Sequence, residues 1–183
     1  MEDEKLKENF STESFKDKYE KEARVNIDLR KALDLMEEAE KSHENGDIEQ
    51  AIELYKESIA YCPTADAHTY LGWMYSMQSR LEEAIEECHQ AIEVDPDFGN
   101  PYNDIGCYLL EIDEIDEAEE WFKKAKRAPR YEPRHFPYMN LARVYMAKGQ
   151  HGKALTELYR ALQIEPGEET LQRQFADLLA LLN

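Results

Sequence analysis

In the stretch YLGWMYSMQSR (70–80), the apolar residues Tyr70, Leu71, Trp73, Met74 and Met77 are too dense and too irregular for strand alternation. They fit a helix that carries apolar residues on two faces. Glycine inside a helix costs roughly 1 kcal/mol against alanine, so Gly72 requires a reason. Repetition supplies one. The segments DIEQAIELYKESIAYCP (47–63), RLEEAIEECHQAIEVDP (80–96), EIDEAEEWFKKAKRAP (114–129) and QHGKALTELYRALQIEP (150–166) align on Ala51, Ala84, Ala118 and Ala154, spaced 33, 34 and 36 residues apart. Twelve residues upstream stand Ala39, Gly72, Gly106 and Ala142, and seven downstream stand Ser58, Ala91, Ala125 and Ala161. A small residue recurring in phase marks a place where something packs closely, and a period near 34 is the mark of a repeat array.

The pattern resembles the tetratricopeptide repeat (TPR) family, whose unit is two antiparallel helices held close by these three small positions and ended by a proline. The resemblance covers roughly residues 32–166. It implies an all-α, right-handed superhelical solenoid of four helix-turn-helix units, at about 32–64, 65–98, 99–134 and 135–167. Counting each unit from Ala32, Ala65, Gly99 and His135, the core positions of the first helix are His68, Leu71, Gly72 and Tyr75 in unit two. They are Tyr102, Ile105, Gly106 and Leu109 in unit three, and Tyr138, Leu141, Ala142 and Tyr145 in unit four. Unit one departs, with Glu38 and Ser42 at two of these places. The segments at 44–47, 78–80, 111–113 and 148–150 read as turns, where Gly46 and Gly149 suit helix C-termini. The linker RAPRYEPRHFP (127–137) makes its unit two residues longer than the family's 34 and bends the chain.

Two flanking segments complete the organisation. After Pro166, Leu171, Phe175, Leu178, Leu179 and Leu182 form one stripe, so 168–183 is expected to be a capping helix. The same stripe is a candidate self-association surface. Residues 1–31 hold nine acidic and eight basic side chains with Phe10, Phe15 and Tyr19, and are expected to form a partly helical extension with one helix near 14–24.

The second apolar face of the first helices is, by the resemblance, the concave groove where TPR proteins bind partners. It is expected to carry Met36, Glu40, Asp66, Tyr70, Trp73, Met77, Asp104, Cys107, Glu111, Met139, Asn140, Arg143 and Met146. Methionine suits adaptable binding surfaces, and the whole face, with Glu37 and Glu44 added to Glu40, Asp66, Asp104 and Glu111, holds six acidic residues against the single Arg143. These features point to another protein's peptide or helix, apolar with basic flanks. Two other readings stay open. The N-terminal arm lies in the groove, or Trp73 packs between helices.

Charge and chemistry narrow the function. The 183 residues carry 40 acidic and 22 basic side chains, a net charge of −18, which disfavours nucleic acid. The longest apolar run, LLALL, is too short to insert in a membrane. With no apolar leader at the N-terminus and three scattered cysteines (Cys62, Cys88, Cys107), the chain reads as cytoplasmic. The acidic segment from Asp113 lacks the ligand and glycine positions of a calcium loop. GQHGKAL lacks the P-loop spacing, and Cys88 beside His89 is a poor metal pair. No catalytic constellation, metal site or cofactor is expected. The two-carboxylate clamp of TPR co-chaperones for heat-shock tails is missing from both registers, which offer Met36, Glu40, Tyr70, Asn100 and Asp104, or Thr69, Trp73, Asp104, Phe136 and Asn140. A non-catalytic adaptor is the leading expectation. The alternative is a small acidic chaperone for a hydrophobic secreted client, resembling type III secretion translocator chaperones.

Overall fold

The structure is a computed structural model that describes residues 27–182, and among these it contains α-helices and no strand. The helices are α1 (Ile27–Glu44), α2 (Ile48–Tyr61), α3 (Ala65–Met77), α4 (Leu81–Val94), α5 (Asn100–Glu111), α6 (Ile115–Arg127), α7 (Phe136–Ala147), α8 (His151–Ile164) and α9 (Glu169–Leu181). The expected helix near 14–24 lies outside the described residues. Closest packing joins α1 to α2, α3 to α4, α5 to α6 and α7 to α8, and each pair then packs on the next. This order, with α9 on α8, is that of a TPR solenoid with a C-terminal capping helix.

Local chemistry sets the helix ends. The Asp47 carboxylate accepts from the Gln50 N–H at 3.2 Å and the Thr64 hydroxyl from the Ala67 N–H at 3.1 Å, capping α2 and α3. Pro101 and Pro137 sit in the first turns of α5 and α7, where a missing N–H costs nothing. Each turn inside a pair contains one left-handed residue, Gly46 (φ 83°), Ser79 (60°), Asp113 (65°) and Gly149 (67°). The reversal is therefore the same in all four units although only two use glycine.

The small positions carry the packing. Ala39, Ala51, Ser58, Ala84, Ala91, Ala118, Ala125, Ala142, Ala154 and Ala161 are all buried. A Cβ built on Gly72 would meet the Ala84 carbonyl oxygen at 2.9 Å, and one on Gly106 would meet the Phe122 ring at 2.6 Å. The buried Ser58 hydroxyl donates to the Ala32 carbonyl at 2.8 Å. Between units, Lys126 pairs with the buried Glu157 at 2.7 Å, and Lys148 bridges Asp116 and Glu119.

Two parts differ from the sequence reading. Helix α1 starts at Ile27, ahead of the unit boundary at Ala32, and buries Leu29, Ala32, Leu35, Met36 and Ala39. These residues compensate for exposed Glu38. Met36, expected in the groove, is 8 % exposed and accepts from the Thr64 hydroxyl through sulfur at 3.6 Å, so it is a core residue. In α9 the leucine stripe divides. Leu171 and Leu178 are buried and Phe175 contacts the Tyr159 ring, whereas Leu179 and Leu182 are exposed.

Gly72→Leu is expected to destabilise the protein by about 1–3 kcal/mol, because the side chain must push α3 off the α4 backbone. Chemical denaturation measures this, and Gly152→Ala, inside α8 with nothing within 4 Å of its added Cβ, should not lower the midpoint and should raise it slightly.

Candidate functional site

Helices α1, α3, α5 and α7 present their second faces on one side of the solenoid, and a groove of about 1680 Å³ opens there over α3 and α5. Of the expected residues, Asp66, Tyr70, Trp73, Asp104, Cys107 and Glu111 line it. Trp73 is 42 % exposed, with its ring edge-on to His43 at 4.5 Å. Met77 and Met146 are 51 % and 46 % exposed, at the C-terminal ends of α3 and α7. Tyr70 is half-buried because its ring stacks on buried Tyr55 at 5.7 Å. Glu40 and Arg143 are exposed, while Met139 and Asn140 are half-buried.

The floor holds a directed polar ladder. Arg143 Nη1 donates to Asn140 Oδ1 at 3.3 Å, Asn140 Nδ2 to Asn103 Oδ1 at 2.9 Å, and Asn103 Nδ2 to Asp104 Oδ1 at 3.4 Å. The guanidinium at one end can only donate, which fixes the sense of the chain. Burial pushes the Asp104 carboxyl up to about 7, against the partial relief of the Asn103 hydrogen bond. Burial likewise raises Asp66 to about 7, with nearby Arg130 opposing and Asp95 and Glu40 reinforcing. The Cys107 thiol is driven up to about 12 by burial and by Asp104, so it stays protonated at neutral pH and is a poor nucleophile. No group of three or more His, Cys, Asp or Glu among the described residues is arranged to hold a metal ion.

The sequence reading missed a wall of the groove. Connector 128–135, between α6 and α7, folds back over the site and contributes Arg130, Tyr131 and Arg134 to the lining. Tyr131 is 5 % exposed, lying against Gly99 and within electrostatic reach of Asp104 and Cys107. The expected excess of acid is thereby moderated, since Arg127, Arg130 and Arg134 face Asp66, Asp95, Asp97, Asp104, Glu111 and Glu132. Asp104 and Cys107, counted as open groove positions, are largely covered. The available signal was the two-residue excess in this unit together with its Arg-Tyr-Glu-Pro run.

A stack of antiparallel helix pairs with a side-chain-lined concave face defines a helical-repeat scaffold. The tetratricopeptide repeat family matches residues 65–98, 100–130 and 137–168, and the chain belongs to this family. Its members are generally non-catalytic scaffolds for protein–protein interaction. The chain is 31 % identical over 98 residues to the small glutamine-rich tetratricopeptide repeat-containing protein 2 of Mycosarcoma maydis, covering 53 % of this chain and 28 % of that protein. It spans between 12 and 28 % of the length of the curated relatives it matches. Pseudomonas aeruginosa PilF superposes with a TM-score of 0.78 at 21 % identity, over 85 % of this chain and 70 % of that one. The first TPR domain of Spaghetti (RPAP3), solved with an HSP90 peptide, superposes with a TM-score of 0.59 at 19 % identity, over 66 % and 94 %. Both likenesses concern the fold. No helix of the described residues is long and apolar enough to cross a membrane.

The raised carboxyls make a pH prediction. Folded Asp66 and Asp104 hold protons that the unfolded chain releases near pH 4, so their contribution to stability falls as pH rises from about 4 to about 7. Asp104→Asn is therefore expected to stabilise the fold by about 1 kcal/mol or more at pH 8, with the gain shrinking toward pH 4. Thermal melts across that range test it, and a gain independent of pH would reject the assignment.

Proposed function

We propose that this chain is a non-catalytic adaptor that holds an apolar segment of another protein, flanked by basic residues, along its concave face. The observation that carries the reading is the exposure of Trp73, Met77 and Met146 on the face that also bears the exposed Glu40 and Glu111. Among the described residues Trp73 and Met77, four apart on α3, stand exposed, as does Met146 on α7, and exposed aromatic and methionine side chains on one face mark a contact surface. Its neighbours supply charge selection, because carboxylates at the rim of an apolar contact steer cationic partners and reject anionic ones. The exposed face of Trp73 argues against its serving as interhelical packing. A complete fourth unit with its own cap supports a general scaffold over a secretion chaperone, whose mark would be stable co-purification with an aggregation-prone, membrane-active client. Asp104, which stands where the heat-shock clamp requires a cation, and Glu40, which stands where it requires an asparagine, disfavour acidic tails as ligands.

A display selection of random peptides against the immobilised chain tests this reading. Enriched peptides are expected to carry aromatic or aliphatic anchors beside Lys or Arg. Trp73→Ala should weaken them by about 2 kcal/mol or more, as for a central anchor, without lowering the melting temperature. Glu111→Lys should mainly slow association, most clearly at low salt. Enrichment of acidic peptides, or binding indifferent to Trp73→Ala, would overturn the proposal.

A further inference from the structure

The connectors at 62–64, 95–99 and 165–168 pass directly from one helix to the next, whereas 128–135 makes a detour. It runs beside the 97–99 turn as a short parallel pairing between Phe98 and Arg130. The Gly99 N–H donates to the Arg130 carbonyl at 2.7 Å, and the Arg130 N–H to the Asp97 carbonyl at 3.1 Å. Asn100 Nδ2 donates to the Glu132 carbonyl at 3.4 Å. The side chains complete the contact. The Arg130 guanidinium pairs with Asp95 at 2.6 Å and lies over the Phe98 ring at 4.7 Å from its centre. Tyr131 fills the next seat, so close to Gly99 that an added Cβ would stand 2.7 Å from its own Cβ.

Taken together, these contacts are those by which a groove receives a separate extended peptide. Main-chain hydrogen bonds fix the register, a cation meets a carboxylate, and an aromatic ring occupies an apolar seat. We propose that connector 128–135 is a resident stand-in for the partner, and that the partner enters by displacing it with an extended segment bearing a basic residue immediately before an aromatic one. The inference rests on the reading of this face as a binding groove and names the chemistry of the occupant. Two features favour displacement. The other units join their helices without such a detour, so the helix pairs do not require it. Asp104, half-buried in the lining of the same groove, has one side-chain hydrogen bond to its carboxyl among the described residues, so the resident connector leaves an acceptor that an incoming segment can meet. Glu132, Pro133 and Arg134 remain exposed and offer an edge from which exchange begins.

The test uses a fluorescein-labelled synthetic peptide with the sequence of residues 127–136, titrated by anisotropy and by NMR against the full chain. The Tyr131→Ala chain, with its seat vacated, is expected to bind at least tenfold more tightly than wild type. Peptides carrying Ala at the tyrosine or Glu at the preceding arginine should lose at least tenfold, and adding Gly99→Leu to fill the seat should abolish binding. If Tyr131→Ala fails to fold, Arg130→Gln, which loosens the connector at Asp95 and Phe98, should bind at least threefold more tightly than wild type. Equal binding by wild type and variant, indifference to the peptide substitutions, or no binding at millimolar peptide overturns the inference. Loss of this peptide while display-selected peptides still depend on Trp73 removes only the stand-in. Loss of both removes the groove reading itself.

Discussion

Everything in this molecule depends on how closely two helices approach at three small residues per unit. In unit two an atom added to Gly72 would lie 2.9 Å from the α4 backbone. That proximity limits how far the pair can separate; at Gly106 the close neighbour is the Phe122 ring, and Ala39 and Ala142 are buried at the equivalent places. The pairs are consequently similar enough to stack, and stacking buries the faces that no pair can cover alone. In such a solenoid each unit packs chiefly on its neighbours, which leaves a second face on each first helix for other contacts.

That second face carries features that reduce stability. Asp66 and Asp104 are carboxyls in poorly solvated places, Trp73 and two methionines stand in water, and a polar ladder crosses the floor from Arg143 to Asp104. Protein cores avoid such groups, while binding faces retain them because the bound state supplies the missing partners. The packing face and the groove face of one helix thus follow opposite rules, and α3 shows both. Leu71 and Tyr75 are buried between helices, and Trp73 and Met77 are open.

Connector 128–135 joins the two sides of this division. It is a covalent link between units three and four, yet its Tyr131 is buried against Gly99 in the groove lining and its Arg130 pairs with Asp95 beside it. Gly99 is the residue that makes room for it. A methyl group there would collide with Tyr131 and Ala128, so the glycine opening unit three serves the groove as well as the chain path.

Much of the fold was legible in the sequence because the determinants of a repeat are local and recur. The small positions and the turns follow from the repeat spacing, the core series from Leu71 to Tyr145 follows from the resemblance laid on that spacing, and the helical step puts Trp73 and Met77 on a face of α3 other than that of Leu71 and Tyr75. Tertiary structure decided what lies beyond one unit's period. Met36 went to the core because α1 begins early and lies against Thr64, a contact 28 residues away. Asp104 and Cys107 are half-buried against Asn103 and Asn140, and a connector outside the helical pattern lines the same groove, which no periodicity describes. The number of units and the second face of their first helices were written in residue types at fixed intervals. Which residues of that face stay open was settled by a long-range contact between Gly99 and Tyr131, which exists only once units three and four have stacked.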